Sequence, residues 1–111
     1  NEKTKGLINL EATKKMKSSA ILVNVARGAV VNNADLYTAL TEHIIAGAGL
    51  DVLENEPISK DNPLGNFKDS NRLLITPHMA WASTEARNRV VEGAYKNIEA
   101  FLNGEERNRV V

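Results

Sequence analysis

The run Ala20-Ile21-Leu22-Val23-Asn24-Val25 constrains this chain more than any other stretch. Its apolar residues are continuous rather than alternating, so it has no polar face to offer water. Such runs belong to strands buried on both faces, as in parallel sheets covered by helices. Arg27-Gly28 ends it. Ala46-Gly47-Ala48-Gly49-Leu50-Asp51-Val52 reads as a second inner strand, with small residues that admit close approach by a helix or a cofactor. Arg72-Leu73-Leu74-Ile75-Thr76 reads as a third, stopped by Pro77.

Helices fill the spaces between these strands. Asn9 suits the N-cap of a short helix over residues 10–17, with Lys14, Lys15 and Lys17 near its C-terminal end. Asn32 or Asn33 caps a second helix over 34–43, where Leu36, Ala39 and Leu40 recur at helical spacing. Ser83 caps the longest, over 84–103, with Glu85 in its first turn and Gly104 just past its end. Ala86, Val90, Val91, Ala94, Ile98, Phe101 and Leu102 form its apolar face. Between residues 53 and 70 periodicity is lost, and Pro57, Pro63 and Gly65 mark a long loop of the functional or mobile kind. Strands alternating with helices predict a parallel α/β sheet. Three strands alone make a thin sheet with two edges, and the chain opens without an initiator methionine. A piece of a longer protein is therefore expected.

Composition removes several classes of function. Fourteen basic residues balance fourteen acidic ones, so no net field draws nucleic acid or an anionic membrane. With no cysteine there is no disulfide, thiol catalysis or Cys-bound zinc, which agrees with a cytoplasmic setting. No apolar run reaches the length of a membrane span, and no metal site is expected.

Ligands of open parallel sheets bind beyond the carboxyl ends of the strands. There the first strand delivers Arg27, the second Asp51 with Glu54 and Glu56 after it, and the third His78. An arginine fork holds a carboxylate with two charge-assisted hydrogen bonds. Histidine carries a proton near neutral pH, and a carboxylate beside it orients the ring. The set suits proton transfer on a small anionic substrate. Taken singly, each residue has a plain structural use. Arg27 could be a surface or salt-bridge residue, Asp51 a turn cap, Glu54 and Glu56 solvated loop charges, His78 an exposed histidine and Trp81 core packing. His43 sits at a helix end, where the terminus itself stabilises it. Joint placement at successive strand ends favours the chemical reading for Arg27, Asp51, Glu56 and His78, while Glu54 keeps the solvated one.

Three ordered motifs then match a known family. Asn24-Val25-Ala26-Arg27-Gly28, the stretch from Ala46 to Pro57, and Thr76-Pro77-His78-Met79-Ala80 resemble the D-isomer-specific 2-hydroxyacid dehydrogenases. The resemblance runs from Lys3 to the closing helix. It implies the second half of a Rossmann-like dinucleotide-binding domain over residues 1–104, with 105–111 starting the return to a substrate domain. It implies NAD as cofactor, with the choice against NADP left to residues expected upstream. It also implies a small 2-hydroxy or 2-oxo acid as substrate, in a homo-oligomer. By the family pattern, Arg27 binds the substrate carboxylate, His78 donates the proton, and Glu56 pairs with His78. Asp51 falls where the family holds the nicotinamide carboxamide, and Val25, Ala26, Arg27, His78 and Ala80 line the same ring. His78-Met79-Ala80-Trp81-Ala82 is most similar to the glycerate dehydrogenase (hydroxypyruvate reductase) branch. Some relatives act as transcriptional corepressors, so a non-catalytic, NAD-sensing interaction protein is the alternative.

One element of the family pattern is missing from the chain. No Gly-x-Gly-x-x-Gly turn occurs, and Gly47-Ala48-Gly49 lies within a predicted strand, where it cannot cradle phosphate. The chain by itself is therefore expected to be inactive.

Overall fold

The computed structural model describes residues 2–110, arranged as two compact units, Asn1–Met79 and Ala80–Val111. In the first unit, strands β1 (Ile21–Asn24), β2 (Gly47–Leu50) and β3 (Leu73–Ile75) form a parallel sheet in the order β1-β2-β3. Asn24 pairs with Leu50, and Leu50 with Ile75, so the three strands end level with one another. That common ending is what gathers Arg27, Asp51 and His78 at one rim. Arg72 pins the opposite end, its guanidinium donating to the carbonyls of Ala46 and Ile45 at 2.8 and 2.9 Å.

Helix α1 (Leu10–Lys14) is capped by the Asn9 side chain, which accepts from the Ala12 amide at 2.9 Å. It stops short of the expected residue 17. Only Thr13 is buried along it, so nothing offsets the cost of adding turns, and the chain bends through Lys17 to Ala20 to enter β1. Helix α2 (Asn33–Thr41) is capped by Asn32, which accepts from the amides of Ala34 and Asp35. Past its end, His43 takes a left-handed conformation (φ 56°), and the Ile44 amide reaches back to the Ala39 carbonyl at 2.9 Å. A histidine thus fills the C′ position where glycine is usual.

The core lies on one side of the sheet. Leu36, Ala39 and Leu40 of α2 pack with Ile45, Leu50 and Val31, all at most 3% exposed. The expectation that β1 is buried on both faces fails here. Side chains alternate across a strand, and Ile21 and Val23 point to the face left open among the described residues, 69% and 65% exposed. The loop from 53 to 70 is more ordered than its composition suggests. Asn62 caps a single 3-10 turn, Pro63–Asn66, that buries Leu64 in the core, and Phe67 meets the edge of Tyr37.

In the second unit, helix α3 (Thr84–Leu102) begins as expected at Ser83, whose hydroxyl accepts from the Ala86 amide at 3.1 Å. It ends at Gly104 in a left-handed conformation, with the Glu105 amide bound to the Ala100 carbonyl. Its apolar face is bare, with Val90, Val91, Ile98, Phe101 and Leu102 all exposed, and Trp81 is exposed rather than packed in a core. No helix among the described residues is long and apolar enough to cross a membrane.

Candidate active site

Arg27 owes its place to a turn built by Asn24. This asparagine ends β1, is 7% exposed, and bonds to the backbone in both directions. Its side-chain oxygen accepts from the Ala26 amide at 3.1 Å, and its nitrogen donates to the Arg27 carbonyl at 2.9 Å. The chain then enters a short 3-10 turn, Gly28–Val30. A Cβ on Gly28 would lie 1.9 Å from the Leu53 carbonyl carbon, so only glycine lets the segments after β1 and β2 touch. The Arg27 side chain is exposed, donates through one Nη to the Ala26 carbonyl at 2.8 Å, and makes no ion pair among the described residues.

Asp51 follows β2 and joins all three strand ends. Its amide donates to the Asn24 carbonyl at 2.9 Å, and its own carbonyl accepts from the His78 amide at 2.9 Å. Its Oδ1 accepts from the Thr76 hydroxyl at 2.6 Å and from the Met79 amide at 2.8 Å. The carboxylate is 5% exposed, a burial tolerable only because these donors replace water. The plain reading of Asp51 as a turn cap is thus true locally, and the turn it holds is the one that carries His78.

That turn is conformationally costly. His78 has φ 53°, a region that a residue with a Cβ adopts only when its surroundings fix it. Here the bonds from Asp51 to Thr76, His78 and Met79 do so. The imidazole then meets Glu56, Nδ1 to Oε2 at 2.7 Å, with both side chains roughly half-exposed. The other oxygen of Glu56 accepts from the Leu53 amide at 2.9 Å. The His78 bond, reinforced by that amide, holds the Glu56 carboxyl below its usual range, against a smaller opposing effect of desolvation. Glu54 is exposed and lines the same cleft as Glu56 and His78.

Arg27, Glu56 and His78 line one cleft of about 310 Å³ together with Gly28, Val52 and Leu53. A second cleft of about 400 Å³ shares Glu56 and His78 and is walled by apolar Pro57, Ile58, Ile75 and Pro77. Val25 stands 59% exposed beside the small Ala26, and Ala80 opens the second unit. The walls of the second cleft, apolar around Glu56 and His78, have the chemistry of a nicotinamide seat, a flat ring bearing an amide. A pyrophosphate seat is a different matter. Gly47-Ala48-Gly49 is paired on both sides within β2, and the Gly47 Cα hydrogens face the Arg72 carbonyl, where a Cβ would sit 3.0 Å away. Gly47 serves strand packing and the whole stretch is held within the sheet, so the residues present fit only the nicotinamide end of the cofactor. Sequence reasoning passed over Asn24 and Thr76. A polar asparagine closing an otherwise apolar run was the available signal for the first, and nothing local marked the second.

The chain has extensive likenesses to known proteins. The pattern of the "D-isomer specific 2-hydroxyacid dehydrogenase, NAD binding domain" family matches residues 1–80. Glycerate dehydrogenase of Methylorubrum extorquens is 46% identical over 107 residues, which are 96% of this chain and 34% of that protein. Glyoxylate reductase of Korarchaeum cryptofilum is 47% identical over 104 residues, 94% of this chain and 30% of that one. Among solved structures, an acyclic imino acid reductase in complex with NADPH and D-Arg superposes with a TM-score of 0.81 at 33% identity, covering all of this chain and 34% of its own. The chain thus spans about a third of the length of these relatives, at 34% of the glycerate dehydrogenase and 30% of the glyoxylate reductase. Its parallel sheet, its strand-end motifs and these likenesses agree, and the chain belongs to the NAD-binding domain family of the D-isomer-specific 2-hydroxyacid dehydrogenases.

Proposed function

We propose that this chain supplies the nicotinamide side and the acid–base residues of an oxidoreductase that interconverts a small D-2-hydroxy acid and its 2-oxo acid. Glycerate and hydroxypyruvate are the pair we favour. The observation that carries the reading is the cleft that unites Arg27, Glu56 and His78, three residues drawn from three strand ends. When bound, a reduced nicotinamide supplies the hydride. Arg27 holds the substrate carboxylate in its fork and so places the neighbouring carbonyl beside His78. His78 gives a proton to the carbonyl oxygen as the carbon is reduced, and takes it back in the oxidation. With Nδ1 directed to Glu56, Nε2 is the nitrogen that makes this exchange. Glu56 fixes the orientation of the ring. By the family resemblance, Asp51, Val25 and Ala26 complete the nicotinamide seat, and either NAD or NADP is compatible with it. The names of the relatives, dehydrogenases and reductases, favour an enzyme over a non-catalytic NAD sensor. The substrate preference rests on the glycerate dehydrogenase relative and on the His78-to-Ala82 motif. The test is NADH and NADPH oxidation by a protein of the relatives' full length, offered hydroxypyruvate, glyoxylate and pyruvate. Turnover fastest with hydroxypyruvate is expected, and no turnover with any 2-oxo acid would overturn the reading.

A further inference from the structure

We propose that Asn24 is a positioning residue for the reaction, acting through Arg27. The inference rests on the proposed function, because it assumes that Arg27 grips the substrate carboxylate. Asn24 touches neither cleft and carries no charge, yet it is one of the few buried polar side chains of the unit, at 7% exposed. A buried amide must find partners for both of its ends, and these partners lie on one short turn. The oxygen takes the Ala26 amide at 3.1 Å, and the nitrogen takes the Arg27 carbonyl at 2.9 Å. The arginine therefore leaves a backbone that is held on both sides of its own Cα.

A third bond gives the clamp its reach. The main-chain carbonyl of Asn24 accepts the Asp51 amide at 2.9 Å, and the Asp51 carbonyl accepts the His78 amide at 2.9 Å. The turn that aims Arg27 and the turn that aims His78 are thus two hydrogen bonds apart, both through residues that close strands of one sheet. Gly28 seals the far side of the Arg27 turn against the backbone of Leu53, so the turn has little room to move as a whole. What remains adjustable is the direction in which Arg27 leaves it. The two side-chain bonds of Asn24 fix that direction.

No other common side chain reproduces the pair. Aspartate would set a carboxylate oxygen against the Arg27 carbonyl. Serine can still accept from an amide two residues on, but it cannot reach that carbonyl. Alanine loses both bonds. A displacement of the fork by an ångström is enough to cost on the order of 100-fold in a positioned reaction.

The experiment uses a protein of the relatives' full length, with hydroxypyruvate and NADH. Asn24→Ala should raise the KM for the 2-oxo acid by about 10–100-fold, with a much smaller change in the KM for NADH. Asn24→Ser should fall between it and the unaltered protein, and serves in its place should the alanine variant not fold. The decisive measurement is a double-mutant cycle with Arg27→Ala. If Asn24 acts through Arg27, removing it from the Arg27→Ala protein should lower kcat/KM no further. Additive losses in the cycle would overturn the proposal, as would an unchanged KM for the 2-oxo acid in both Asn24 variants. Either result would leave the functional reading standing so long as the unaltered protein turns over and Arg27→Ala impairs it. Absence of turnover in the unaltered protein would remove both readings.

Discussion

Glu56 Oε2 and His78 Nδ1 lie 2.7 Å apart although they stand 22 positions apart in the chain. The first stands on a loop beyond β2 and the second on a left-handed turn beyond β3. Because the imidazole is held at Nδ1, Nε2, the nitrogen proposed to exchange the proton, is held too. In a full-length protein, His78→Ala is expected to lower kcat for hydroxypyruvate reduction by on the order of 10²–10⁴-fold, the usual worth of a general acid. Glu56→Gln should lower it less, since an amide still bonds the ring, though more weakly than a carboxylate does. Steady-state kinetics of both variants check this, and a fully active His78→Ala would exclude a proton donor at this position.

The same pair sets a pH dependence of stability. The bonds from His78 and Leu53 hold the folded Glu56 pKa below its unfolded value. A depressed carboxylate stabilises the fold above the unfolded pKa, about 4.3 for glutamate, and that contribution disappears as pH falls through the lower, folded value. Denaturant midpoints of the unaltered chain and of Glu56→Gln should therefore converge as pH falls from 7 to 3. A gap that stayed constant or widened would show that the bond does not hold Glu56 in solution.

Arg27 should not tolerate its nearest charge equivalent. Arg27→Lys keeps the positive charge but cannot offer two parallel N–H groups to a carboxylate. The KM for the 2-oxo acid is expected to rise roughly 10–100-fold, the equivalent of one lost charge-assisted hydrogen bond. Kinetics against substrate concentration give the value, and an unchanged KM would end the two-pronged binding idea.

Gly28 is a packing requirement with a functional consequence. Alanine would bring a methyl carbon to 1.9 Å from the Leu53 carbonyl carbon, so one of the two backbone segments must move. Overpacking of this kind costs about 1–3 kcal/mol, and here it also separates the Arg27 turn from the loop of Glu56. Gly28→Ala should show both a lower denaturation midpoint and a higher KM for the 2-oxo acid. Unaltered stability would mean that the contact is looser than the geometry requires.

The isolated 111-residue chain should associate with itself. Among the described residues, Ile21 and Val23 leave one sheet face apolar and exposed, β1 has an unpaired edge, and the large apolar side chains of α3 are exposed. Exposed edges and faces of this character recruit further chains. Light scattering over a dilution series should show an apparent mass that rises with concentration. A monomer at every concentration would refute the expectation.

Much of this protein was decided within short windows of sequence. Asn9, Asn32 and Ser83 start their helices because a side-chain oxygen need only reach amides two or three residues on, and each does so here. The apolar runs determined that the sheet is parallel, and the residues that close each run determined which groups stand at its rim. Tertiary structure decided the remainder. Which strand face is covered depends on the elements that lie over it, so a continuous apolar run could not announce that Ile21 and Val23 stay bare. Leu64 entered the core from a stretch with no periodicity, because burial follows from where the loop crosses α2 rather than from its own pattern. Strand register brought Glu56 to His78, Asp51 to Thr76 and Asn24 to the Asp51 amide. Each of those bonds joins residues on different strands or the loops beyond them, and no local rule of propensity or spacing reaches that far.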